Sequence, residues 1–259
     1  MPSLIINTRF CGPPNSGNGG YVCGLLAAHI GDSAEITLRL PPPLERTLDV
    51  VAGPDGTIDL RDQEVVVATG RTTLLEISEI PTVNFSGAEE AVHRTPYDNA
   101  NHKLPTCFVC GPARHHGDGL RIFAGPVAVS LDPALDVFAA PWVPHANLAG
   151  HDGRVAAEFV WAALDCPTGY ASLGARPLGM TGEETILLGR MAARVIGRPK
   201  PGDRCVVTAW PAGRSGRKLF ASSALLGPDG DVLAIARTIW LMVDRNVQVG
   251  QRSSHLPHN

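Results

Sequence analysis

The sequence predicts an α+β protein made of two similar halves, each an antiparallel sheet wrapped around a central helix. Three observations carry this expectation. A glycine pair opens a short apolar helix in NGGYVCGLLAAHI, from Asn18 to Ile30. A comparable apolar stretch lies in GHDGRVAAEFVWAALDCPTGYA, from Gly150 to Ala171. Both are followed by β-rich sequence punctuated by Pro and Gly. Recurrence of one unit within a chain is the mark of a duplicated architecture, and a ligand cleft is expected where the copies meet.

Each element follows from its residues. Ile5 to Phe10 predicts a first strand. CGPPNSG cannot be helical, because Pro13 and Pro14 lack amide donors and glycines flank them. Tyr21 to Ile30 is apolar nearly all round and predicts a buried helix, stopped by Gly31 and Asp32. AEITLRL alternates at period two and ends at Pro41 to Pro43. RTLDVVA and TIDL flank GPDG, a hairpin signal, and EVVVATGRTTLLEI is a long strand. VAVSLDP and APWV are strand-like, and Arg154 to Leu164 predicts the second apolar helix. TILLGRMAARVIG, DRCVVTAWPAG, KLFASSALLGPDGD and VLAIARTIWLMVD complete the chain as four strands, the last two a hairpin around PDGD. The expected organisation is an N-terminal half over 1–77, a connecting arm with a CxxC segment over 78–125, a C-terminal half over 126–246 and a flexible tail over 247–259.

Composition narrows the function classes. The 259 residues suffice for one large domain or two ordinary ones, and 44% hydrophobic content supports a substantial core. Net charge is −3 with the signs mixed, so neither nucleic acid nor a membrane surface is an expected partner. No run of 18 apolar residues predicts a membrane span, and MPSLIINTRF lacks the pattern of a signal peptide. A cytoplasmic protein with six reduced cysteines is therefore expected. The G-x-S-x-G elbow, the P-loop, the dinucleotide glycine pattern and HExxH are all missing, which argues against serine hydrolases, nucleotide enzymes and zincins. No cofactor is expected.

A sheet curled around one apolar helix is the hot-dog architecture. Two copies in one chain imitate a dimer of single copies, since pairing covers the exposed sheet edge and helix flank. NGGYVCGLLAA, WAALD, GRPKPGD and GPDGDVLAIARTIW together resemble the double hot-dog acyl-CoA thioesterases, including the acyl-CoA thioesterase II type. The likeness spans roughly residues 4 to 244 through short, gappy motifs. CFVCGPARHHGDGLRI is also similar to a CF-x-CG…GL segment that precedes the hot-dog core in some proteins of the thioesterase superfamily. The resemblance implies hydrolysis of acyl-CoA or another pantetheine thioester in a tunnel between the halves. It implies a catalytic Asp inside the second helix, where Asp165 falls. It also implies a Thr and a Gln on nearby strands to hold the nucleophilic water. VLAIARTIW offers Arg237 and Thr238 but no Gln, and no Thr matches the family's.

Thioester hydrolysis needs donors for a developing oxyanion and a carboxylate that attacks or activates water. A glycine-headed helix N-terminus supplies donors. Gly20 and Tyr21 are the candidate catalytic amides, with Gly19 beside them. Asp165 and Glu158 are the candidate catalytic carboxylates, seven residues apart and so on one helical face. Burial would raise either pKa and suit it to act as a base. Asp165 also fits an N-cap, with Pro167 in the first turn of a following helical segment. Asn18, Gly19, His145, Asn147 and Thr238 are candidate substrate-binding residues, with His151 a further candidate ahead of the second helix. Cys107 and Cys110 form a CxxC followed by His115, His116 and Asp118, half of a zinc knuckle. With no second CxxC, a structural turn and no metal are expected, and Cys166 reads as a small buried thiol. Two alternatives stay open. One is a hot-dog acyl-thioester hydratase or dehydratase using His145 or His151 with Glu158, and the other a non-catalytic acyl-CoA-binding protein. The chain carries its own pseudo-dimer, so a monomer and a homodimer are both open.

Overall fold

The computed structural model describes residues 2–96, 102–128, 136–174 and 184–244. Its first half runs β1 (Ser3–Ile5), α1 (Gly19–Ala27), β2 (Ser33–Leu38), β3 (Thr47–Ala52), β4 (Ile58–Asp62) and β5 (Val65–Thr72). An arm carries α2 (Phe85–Val92) and the short β6 (Gly125–Pro126). The second half runs β7 (Phe138–Trp142), α3 (Ala157–Leu173), β8 (Glu184–Val195), β9 (Cys205–Ser215), β10 (Lys218–Leu226) and β11 (Val232–Asp244).

The expected repeat is legible in the strand order. The sheet has eleven strands in the order β1-β3-β4-β5-β2-β8-β11-β10-β9-β7-β6. Outward from the centre, β2, β5, β4, β3 and β1 on one side match β8, β11, β10, β9 and β7 on the other. The two expected sheets are therefore two arms of one continuous sheet. The junction is antiparallel, with Ser33 opposite Arg194 and Thr37 opposite Arg190. Joining at β2 and β8 pairs what would otherwise be two open edges.

The central helices pack antiparallel against each other, and glycine is what lets them approach. A Cβ on Gly20 would lie 2.5 Å from Asp165 Cβ, and one on Gly24 would lie 2.6 Å from Glu158 Cα. Val22 and Leu26 of α1 and Trp161 and Leu164 of α3 join Leu48, Leu60, Phe138 and Leu225 of the sheet in one core. Each large apolar side chain so buried contributes about 1.5–3 kcal/mol. On the other sheet face, Ala88 and Ala91 of α2 sit with Ala139, Val206, Ala224 and Ile235 in a second cluster.

Several boundaries move. The first strand stops at Ile5, and Thr8–Phe10 form a 3-10 turn capped by Asn7. α1 begins two residues earlier than expected, at Gly19, because Asn18 caps it. β5 ends at Thr72. α3 runs nine residues past Leu164, to Leu173, with Pro167 inside it, so Asp165 is mid-helix and not an N-cap. The helix tolerates the proline where it is packed from all sides. Ser223 Oγ donates to the Leu164 carbonyl at 2.9 Å, and Thr168 Oγ1 to the Asp165 carbonyl at 2.6 Å. The arm is more than a connector, since Cys107, Phe108, Val109, Cys110 and Ile122 all enter the main core. Part of VAVSLDP and the whole 247–259 tail lie outside the described residues. Among the described residues, no helix is long and apolar enough to cross a membrane.

Candidate active site

A cleft open to solvent lies at the N-terminus of α1, where the halves meet. Its walls are mainly apolar: Leu38, Leu40, Leu104, Ile186, Leu188 and Trp240. Asn18, Gly19, Cys107, Asp165 and Cys166 form its polar end, and Arg39 also lines it.

Asn18 organises this end. It is buried, and its side-chain oxygen caps α1 by accepting from the Tyr21 N–H at 2.9 Å. Its amide nitrogen donates to Asp165 Oδ2 at 3.0 Å and lies 3.9 Å from Cys107 Sγ. The Gly20 N–H donates to the same Asp165 oxygen at 2.9 Å. The carboxylate of one half is thus held by the helix N-terminus of the other. Asp165 is 1% exposed, and its second oxygen, Oδ1, has no hydrogen-bond partner among the described residues. Burial pushes its pKa up to about 7, against the lowering effect of the Gly20 and Asn18 hydrogen bonds, while the neighbouring Cys107 charge raises it further. Trp240 Nε1 donates to Thr168 Oγ1 at 2.9 Å, pinning the next turn of α3 to β11.

Not every expected site residue reaches the cavity. Asn18, Gly19 and Asp165 line it. The Gly20 and Tyr21 amides already serve Asp165 and Asn18, so neither is free for a thioester oxygen. The Gly19 N–H, at the cavity wall, has no partner among the described residues. The Tyr21 ring stacks on Phe10 at 4.2 Å and sits against Phe108 and Phe159. Burial and the Glu158 charge raise its hydroxyl pKa. Glu158 is half-buried in the first turn of α3, outside the cavity wall, because α3 crosses α1 and presents only its middle to the site. His145 and Asn147 are exposed and tie down a loop. The His145 ring accepts from the Asn147 N–H at 3.3 Å, and Asn147 donates to the Gly117 carbonyl at 2.6 Å. His151 is exposed as well. Thr238 is buried in the sheet, donating to the Ala221 carbonyl at 3.3 Å. Among the described residues, no His–Glu158 pair is assembled at the cavity.

The CxxC, expected to be a structural turn, has a third thiol beside it. Cys166, one residue after Asp165, meets Cys107 at 3.8 Å between sulfurs. Hydrogen bonds from the Cys110 and Cys166 thiols, then from the Cys110 and Val109 amides, hold the Cys107 thiol well below its usual range. Cys110 and Cys166 are pushed up, chiefly by donating to Cys107. The CxxC was the available signal for this, and its third partner is remote in sequence.

No protein-family model and no curated protein matches the sequence. Solved structures do match over nearly the whole chain. Acyl-CoA thioesterase II TesB2 from Mycobacterium marinum aligns with a TM-score of 0.59 and 11% identity, covering 93% of this chain and 92% of its own. The tesB protein of Mycobacterium avium subs paratuberculosis aligns with a TM-score of 0.58 and 12% identity, covering 89% of each chain. A protein with hot-dog fold from Alicyclobacillus acidocaldarius gives 0.56 and 14%, covering 93% of this chain and 92% of its own. The chain has the double hot-dog fold. At such identities the likeness is one of fold, and any activity has to be argued from the site. In this double hot-dog chain the strands beside Asp165 present Ile186, Leu188, Trp240 and Leu241 to the cavity, so no Thr or Gln on them stands ready to hold a water. Asn18 and Gly19, from the opposite half, supply the polar groups instead.

Proposed function

We propose that the protein hydrolyses acyl thioesters of the acyl-CoA kind. The observation that carries this is Asp165. A buried carboxylate with one oxygen held by Gly20 and Asn18 and the other unpartnered, in the wall of an apolar cavity, is costly unless it is used. Oδ1 would take a proton from a water as that water attacks the thioester carbonyl carbon. The Gly19 N–H would donate to the oxygen that gains negative charge. The carbon–sulfur bond would then break, with the thiolate recovering the proton from Asp165. Leu38, Leu40, Leu188 and Trp240 suit a neutral acyl group, and the fold likeness to an acyl-CoA thioesterase II supports the reading.

The test is thiol release from short, medium, long and aromatic acyl-CoAs by wild type and Asp165→Asn, with circular dichroism to check folding. Turnover that the substitution removes from a folded protein supports the reading. No turnover by wild type on any member of the panel overturns it.

A further inference from the structure

We infer that Cys107, Cys110 and Cys166 form a binding site for a single thiophilic divalent cation such as Zn2+, with its open coordination position turned toward the cavity. The three sulfurs lie within 4.8 Å of one another, and Cys107 and Cys166 are 3.8 Å apart. Thiolates bound tetrahedrally at Zn–S of about 2.3 Å are about 3.8 Å apart, so small side-chain rotations close the set.

The backbone around Cys107 is built as a metal knuckle is. The Gly111 N–H donates to the Cys107 carbonyl at 2.9 Å. A Cβ on Gly111 would sit 2.4 Å from that carbonyl oxygen, so the turn admits only glycine. The Phe108 N–H to the Cys11 carbonyl at 2.7 Å and the Ile122 N–H to the Val109 carbonyl at 2.9 Å brace the turn from both sides. All three thiols are buried, and the third ligand comes from a rigid helix.

The site also opens onto the cleft beside Asp165, whose side chain is held by the Gly20 N–H and the Asn18 amide. Cys107 and Cys166 line the cavity, so a fourth ligand would reach the ion from there. The inference does not depend on thioester hydrolysis, because metal binding is read without any substrate.

The experiment adds Co2+ or Zn2+ alone to the reduced, chelator-stripped full chain. Co2+ is followed by its thiolate-to-metal charge-transfer absorption, and Zn2+ by competition with a chromophoric chelator. The expected result is saturation at one equivalent with a charge-transfer band. Cys166→Ser and Cys110→Ser should each weaken binding at least about tenfold, while Cys205→Ser, on β9, leaves it unchanged. Absence of a charge-transfer band in the reduced wild type overturns the inference, and so does undiminished binding in folded Cys166→Ser. The wild-type measurement decides the matter even where a variant fails to fold.

Discussion

The first half caps its helix with the side chain of Asn18 and heads it with glycines, whereas the second half caps its helix at Ala156 with no side-chain hydrogen bond and places Glu158 in the first turn. The ninth residue after the cap is Ala27 in α1 and Asp165 in α3. The matching strand orders relate the two halves, and counting from the helix caps these positions correspond. A dimer of identical copies would carry two equal sites. Here one position has a carboxylate facing a glycine-headed helix, and the other has Ala27 with no acid. Once the halves share a chain they are free to diverge, and one keeps the donor end while the other keeps the carboxylate.

The largest effect that tests this asymmetry is on turnover. Asp165→Asn is expected to lower kcat for acyl-CoA hydrolysis about 100-fold or more, whereas Glu158→Gln should leave it within about twofold. Equal losses in a steady-state assay would break the comparison.

The pH dependence of stability separates the halves next. Burial pushes the Asp165 pKa up to about 7 from its ordinary 3.8. The folded state therefore prefers the protonated form, and its contribution is fully present below about pH 4 and is lost as pH rises through 7. In reduced, metal-free protein, the urea-unfolding free energy of wild type relative to Asp165→Asn should fall by about 2–4 kcal/mol between pH 4 and pH 8. A pH-independent difference would remove the claim that this carboxylate is desolvated.

The glycines come third. Gly20→Ala and Gly24→Ala both push a methyl group into α3 backbone or Cβ atoms, and each should cost about 1–3 kcal/mol in urea melts. Only Gly20→Ala also displaces the Asp165 carboxylate, so turnover of protein that is still folded should drop in that variant and survive in Gly24→Ala. The smallest effect is at the caps. Asn18→Ala should lose about 1 kcal/mol, and Ala156→Asn should gain about 0.5–1 kcal/mol by supplying the cap that α3 lacks. Chemical denaturation of the pair checks both signs.

Much of the architecture was readable because periodicity and turn chemistry are local. GPDG and PDGD announced their hairpins, and the apolar run after Asn18 announced a buried helix. The helix through Pro167 was not readable. Proline is a breaker by local rules, and only the bonds to Leu164 and Thr168 from Ser223 and Trp240 show how the helix is held there. Asp165 could be singled out as an acid in an apolar run. Its bond to Gly20 spans 145 residues, and nothing in either segment alone reveals it. Glu158 drew attention for the same reason as Asp165 and lies outside the cavity, because equal spacing on one helix does not say which turn a crossing partner covers.

The sequence by itself determined the α+β class, the duplicated unit, the buried helices and the residue types of the site, since these follow from hydrophobic pattern and backbone chemistry along the chain. Only the tertiary structure decided that the halves share one sheet, that among the described residues Gly19 rather than Gly20 or Tyr21 keeps an unpaired amide, and that Cys166 lies beside the CxxC. The physical reason is that an amide or a thiol becomes a donor, an acceptor or a ligand according to what lies within about 3–4 Å of it, and packing of remote segments sets that neighbourhood.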